Sequence, residues 1–118
     1  MRKGKDCDST MLAYKNTEIS ELCEALTDSV SPKKIYLFGS FAKGTESQNS
    51  DIDLYLVMPD GSEEQLIIAQ KAYEAIRRKR KRPVDIVVGY ESEFIKKQFE
   101  PTLEKEVIDT GIVLYEQG

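Results

Sequence analysis

From Thr17 onward the apolar residues Ile19, Leu22, Cys23, Leu26 and Val30 recur every three or four positions, the spacing that lines one face of a helix. Ser31-Pro32 then stops it. The period changes to two at Lys34–Phe38, which reads as a first strand, and again at Asp51–Met58, where Ile52, Leu54 and Leu56 face one way. Between them lie a Gly39-Ser40 turn, a short helix from Ser40 through Lys43, and a polar loop from Gly44 to Ser50. Pro59-Asp60-Gly61 is a turn. Ser62 with Gln65 has the form of a capping box, opening a helix that runs to about Arg80 with Leu66, Ala69, Tyr73 and Ile76 on its apolar face. Pro83 closes that helix, and Pro83–Val88 is a strand in which apolar Val84, Ile86 and Val88 alternate with Asp85. Ser92 is positioned to cap a helix carrying Phe94, Ile95 and Phe99. Thr102 caps another with Leu103, Val107 and Ile108, for which Gly111 would supply a left-handed C-terminal residue. Ile112–Tyr115 is the last strand. Alternating helices and short strands predict an α/β fold with helices packed on one sheet. Residues 1–15 show little periodicity and read as a loose leader, leaving 16–118 as a single domain.

The pattern also isolates polar residues that a core does not need. Side chains two apart on a strand share a face, so Asp51 and Asp53 present two carboxylates together, with Tyr55 next along. Two like charges about 4 Å apart repel by roughly 4 kcal/mol at an effective dielectric of about 20. Such a pair takes up a cation or raises one pKa, and a hard metal such as Mg²⁺, which keeps sites for substrate phosphates, suits it. Gly39 lets the backbone approach an anion closely. The Ser40 hydroxyl and the start of the helix it opens favour phosphate oxygens, and Lys43 adds a cation. Asp85, an acid on an otherwise apolar strand, is a third candidate carboxylate. Tyr55 could line a nucleotide pocket or simply fill the sheet face.

Gly39-Ser40, ten residues, Asp51-x-Asp53 and a later strand bearing Asp85 together resemble the DNA polymerase beta superfamily of nucleotidyltransferases, in particular its minimal nucleotidyltransferase (MNT) branch. The likeness covers about residues 17 to 116. It implies a polymerase beta-like fold, a small mixed sheet whose open face holds the three aspartates. It also implies transfer of AMP from ATP to a hydroxyl. Asp51, Asp53 and Asp85 would hold two Mg²⁺ ions, Asp85 would accept the proton, and Gly39, Ser40 and Lys43 would fix the triphosphate. Family members usually carry Gly-Ser-x-Ala-Arg-Gly, whereas this chain has Lys43 at the Arg position and so lacks the bidentate fork. Similarity to MNT proteins further implies a helical HEPN partner, a ribonuclease toxin silenced by AMP on a tyrosine. Two alternatives remain: a small-molecule nucleotidyltransferase of the aminoglycoside-modifying kind completed by a helical partner, and a non-catalytic antitoxin that masks its partner by binding.

Composition narrows this further. The chain has 118 residues, a net charge of −4, no histidine and two cysteines, Cys7 and Cys23, outside any metal-ligand spacing. Zinc sites and Ser-His or Cys-His nucleophiles in their usual forms are therefore excluded. The acidic balance argues against nucleic acid as a general partner. No apolar run approaches a membrane-spanning length and no signal peptide is visible, so a cytoplasmic protein is expected. Self-association is left open. The basic run Arg77–Arg82 reads first as a solvated helix end and second as a contact for an acidic partner, RNA or a nucleotide phosphate.

Overall fold

A computed structural model describes residues 17–47 and 49–117; the expected leader lies outside them. The elements are α1 (Thr17–Val30), β1 (Lys34–Phe38), α2 (Ser40–Lys43), β2 (Ile52–Met58), α3 (Gln65–Ile76), β3 (Val84–Tyr90), α4 (Glu91–Lys97), α5 (Leu103–Thr110) and β4 (Ile112–Glu116). The strands form one sheet in the order β3-β2-β1-β4. β1 runs antiparallel to β2 and β4, and β2 runs parallel to β3, with α3 in the crossover between them.

Strand alternation divides the core in two. Ile35, Leu37, Ile52, Leu54 and Leu56 face α1 and α3, meeting Ile19, Leu22, Leu26, Ile68, Ala72 and Ile76. Each such Leu or Ile, fully buried, contributes about 1.5–3 kcal/mol. Tyr36, Phe38, Tyr55 and Val57 point the other way and pack with Phe94 of α4 and Val107 of α5. Helix cover thus exceeds one face: the two long helices hold one side, and two short helices cover part of the other. No helix among the described residues is long and apolar enough to cross a membrane.

Tyr55 belongs to this second core. It is 1 % exposed, its ring centroid lies 5.0 Å from that of Phe94, and its hydroxyl donates to Glu104 Oε2 at 2.7 Å. Burial, followed by the Glu104 carboxylate, holds the phenol protonated well above the usual tyrosine range. A Cβ on Gly89 would overlap the Tyr55 hydroxyl and crowd its ring. Gly89→Ala is therefore expected to displace the ring from Glu104 and destabilise the fold by about 1–3 kcal/mol, read as a lower midpoint in urea unfolding.

Several local expectations are corrected. Ser62 and Gln65 form no capping box: the Ser62 hydroxyl donates to the Pro59 carbonyl at 2.6 Å, and the Gln65 amide to the Val88 carbonyl at 2.6 Å. The helix consequently starts at Gln65, ends at Ile76 and buries Ile68, Ala72 and Ile76, leaving Leu66 69 % exposed. Tyr73 does not enter the core; its hydroxyl accepts the Ile86 N–H at 2.9 Å. Ser92 is not a cap either, since α4 begins at Glu91 and the Ser92 N–H and hydroxyl both donate to the Asp60 carboxylate. Those bonds hold Asp60 below the usual carboxylate range. Thr102 does cap α5, accepting the Lys105 N–H at 3.2 Å. Gly111 is extended (φ −79°), not left-handed; its need for glycine is close packing, because a Cβ would run into the Val107 and Leu37 carbonyls.

Candidate active site

The parallel pairing of β2 with β3 sets Asp53 directly beside Asp85. Both point away from the Ile52/Leu54/Leu56 core, to the face carrying Tyr55 and Val87. Asp51 is exposed and lies one residue ahead of β2, where the Ile52 N–H donates to the Pro83 carbonyl at 3.0 Å and carries the pairing to the strand ends. Just before it, the Ser47 N–H donates to the Ser50 hydroxyl at 2.8 Å.

Antiparallel pairing on the other side brings the glycine turn into place. Phe38 sits opposite Asp53, and Gly39 follows with φ 76° and ψ −152°. A Cβ there would overlap Asp53 Oδ2. Gly39 thus serves two ends, since only glycine takes this conformation at no steric cost and only glycine clears the carboxylate. Gly39 is also the residue that flanks α2: its carbonyl accepts the Ala42 and Lys43 N–H groups, each at 3.1 Å, while Ser40 is the first residue inside the helix. Lys43 Nζ lies 3.4 Å from Glu106 Oε2 of α5.

Glu106 is a residue that sequence reasoning missed. It brings a fourth carboxylate to the edge of the site, from an acid in the first turn of an ordinary amphipathic helix. The basic run lies beyond α3, and its last member is held against α1 and α2. Arg82 Nε donates to Glu18 Oε1 at 3.3 Å, and its guanidinium carbon stands 5.2 Å from the Phe41 ring centroid.

The electrostatics follow from this crowding. Burial, then the charges of Asp85, Asp51 and Glu106, raise the Asp53 pKa above the usual carboxylate range. The folded state therefore holds the Asp53 proton more tightly than the unfolded chain does. Stability from this group is greatest below the unfolded value and falls as pH rises through the folded one. Asp53→Asn removes that dependence. It is expected to raise the melting temperature of the metal-free protein at neutral pH by about 1–3 °C, with the gain vanishing below about pH 4, as thermal melts across pH would show.

Carboxylates crowded in this way are suited to a hard cation, which would relieve their repulsion. Among the described residues no three acidic, histidine or cysteine side chains converge closely enough to hold an ion as they stand. The donor chemistry fits Mg²⁺, with Asp53 and Asp85 in register and Asp51 adjoining.

Comparison with known proteins places the chain in a family. A crystal structure of a toxin–antitoxin with AMP-PNP is similar at 28 % identity and a TM-score of 0.55, covering 86 % of this chain and 75 % of that one. A putative nucleotidyltransferase from Sulfolobus solfataricus is similar at 21 % identity and a TM-score of 0.56, over 99 % of this chain and 93 % of that one. The toxin–antitoxin MntA–HpeT, in a mutant form, shares the fold at 24 % identity and a TM-score of 0.53, with the same coverage of 86 % and 75 %. No match was found among curated proteins. The nucleotidyltransferase domain family matches residues 19–114. That span runs from the first buried residue of α1 to the buried Leu114 of β4 and touches every element of the sheet and its helices, and the chain belongs to the nucleotidyltransferase domain family.

Proposed function

We propose that this protein transfers AMP from ATP to a hydroxyl group, that the acceptor is a tyrosine of a helical HEPN-type toxin, and that the protein acts as the antitoxin of that pair. The observation that carries the chemistry is the in-register pair Asp53/Asp85 beneath the Gly39 turn, in a member of a nucleotidyl-transferring family. The pairing with a toxin is supported by the similar toxin–antitoxin structure at 28 % identity, whose bound AMP-PNP is an ATP analogue.

In this reading Gly39 and Ser40 bind the triphosphate through backbone amides and the hydroxyl, and Lys43 offsets its charge. The turn stands beside Asp53, so a triphosphate held there has its α-phosphorus over the carboxylate ledge, oriented for in-line attack. The acceptor oxygen forms its bond to the α-phosphorus, pyrophosphate departs with the electrons of the broken P–O bond, and Asp85 takes the hydroxyl proton. Mg²⁺ held by Asp51, Asp53 and Asp85, as two ions, would supply Lewis acidity and a lowered hydroxyl pKa. Tyr55 is not assigned to the nucleotide, because its ring is buried and its hydroxyl is engaged by Glu104.

The test is incubation with α-labelled ATP and Mg²⁺, with and without the product of the neighbouring gene, against an Asp51→Ala/Asp53→Ala blank. Label on the partner that disappears in the blank supports the proposal. Label on a small molecule alone would favour an aminoglycoside-type activity, and no label with a tight complex still formed would leave a binding antitoxin.

A further inference from the structure

α5 is fastened to the sheet by Val107, which is fully buried in the second core, and by Glu104, whose Oε2 accepts the Tyr55 hydroxyl of β2 at 2.7 Å. Its neighbour Glu106 is thereby held at the edge of the site, 3.4 Å from Lys43 Nζ and 63 positions away in sequence. Both partners are about half exposed, so the contact is exchangeable with water and ligand. The ammonium that would serve a triphosphate is therefore already engaged. We infer that Glu106 is a positioning residue that competes with the nucleotide for Lys43, setting nucleotide affinity below what Lys43 alone would give.

This rests on the nucleotide-binding role proposed above for Lys43. A triphosphate entering the Gly39 turn must draw Lys43 away from Glu106. Its departure as pyrophosphate lets the pair close again. Lys43 suits such an exchange better than an arginine would, because an ammonium on a flexible stem swings between single acceptors while a guanidinium fork favours a fixed bidentate one. Glu106 thus weakens nucleotide and pyrophosphate binding together, and its loss moves KM with little effect on the chemical step.

The test is binding of a fluorescent ATP analogue with Mg²⁺ by anisotropy, on wild type, Glu106→Gln, Lys43→Met and the double variant, with pyrophosphate inhibition measured in parallel. Glu106→Gln is expected to bind the analogue about three- to fivefold more tightly and to be inhibited by pyrophosphate at correspondingly lower concentration. In the Lys43→Met background the same change is expected to have an effect smaller than about 1.5-fold, the non-additivity that marks action through Lys43. Glu106→Asp, which keeps the charge on a shorter arm, should fall between. No gain in Glu106→Gln, or an equal gain with and without Lys43, overturns the inference while leaving nucleotide binding intact. Absence of binding by the wild type itself overturns the nucleotide reading and this inference with it.

Discussion

Asp53→Ala is expected to lower the proposed transfer of AMP by at least about a thousandfold while leaving a folded protein that still binds the proposed partner. The size of the loss follows from what one side chain does here. Asp53 has Asp85 beside it on β3, Gly39 above it and Asp51 two positions earlier, so its removal takes away the carboxylate that Asp85, Asp51 and Glu106 all act on. The fold does not depend on it: Asp53 is half-buried, carries a disfavoured charge and lies outside both core clusters. Single-turnover transfer, melting temperature and partner binding measured on one preparation separate these effects. Near-normal transfer would falsify the assignment of the metal-binding carboxylates.

Gly39→Ala should injure both activity and stability. The backbone at φ 76° and ψ −152°, a region kept essentially to glycine, costs another residue about 1–3 kcal/mol, and the new methyl overlaps Asp53 Oδ2. Relief requires the carboxylate or the turn to shift, and a displacement of about 1 Å at a reacting centre can cost about a hundredfold in rate. A loss of about 2–3 kcal/mol in stability together with at least a hundredfold in kcat is expected, from urea unfolding and initial-rate kinetics. Gly44→Ala is the milder comparison: its φ of 75° and ψ of 19° lie in the ordinary left-handed region, and no described residue lies within 4 Å of a Cβ there. It should cost only the conformational term, about 1 kcal/mol, and leave kcat within about twofold.

The strands were legible in the chain because a period of two is a local signal, and the same alternation that buries Leu54 and Ile86 exposes Asp53 and Asp85. Gly39 was legible as a turn, but its fit over Asp53 depends on the pairing of β1 with β2. The misreadings share one cause. Ser62 and Ser92 had helix-cap spacing, yet their hydroxyls are taken by Pro59 and Asp60, and the Asp60–Ser92 contact spans 32 positions. No window short enough to show a cap includes Asp60 or the Val88 carbonyl that takes Gln65, although Pro59 lies only three positions from Ser62. The stripe on α3 was misplaced for a related reason: Leu66 and Ile68 are equally apolar, and only docking against the sheet and α1 selects Ile68. Glu106 offered no signal at all, because its meaning comes from where Val107 anchors α5.

The register of β2 on β3 has a practical consequence for anyone assaying this protein. Slipping that pairing by one residue would turn Leu54 and Leu56 to solvent and drive Asp53 into the apolar core, so the misaligned chain has no stable fold. Molecules that survive purification in the folded state consequently carry aligned aspartates, and an active-site titration should count nearly all of them.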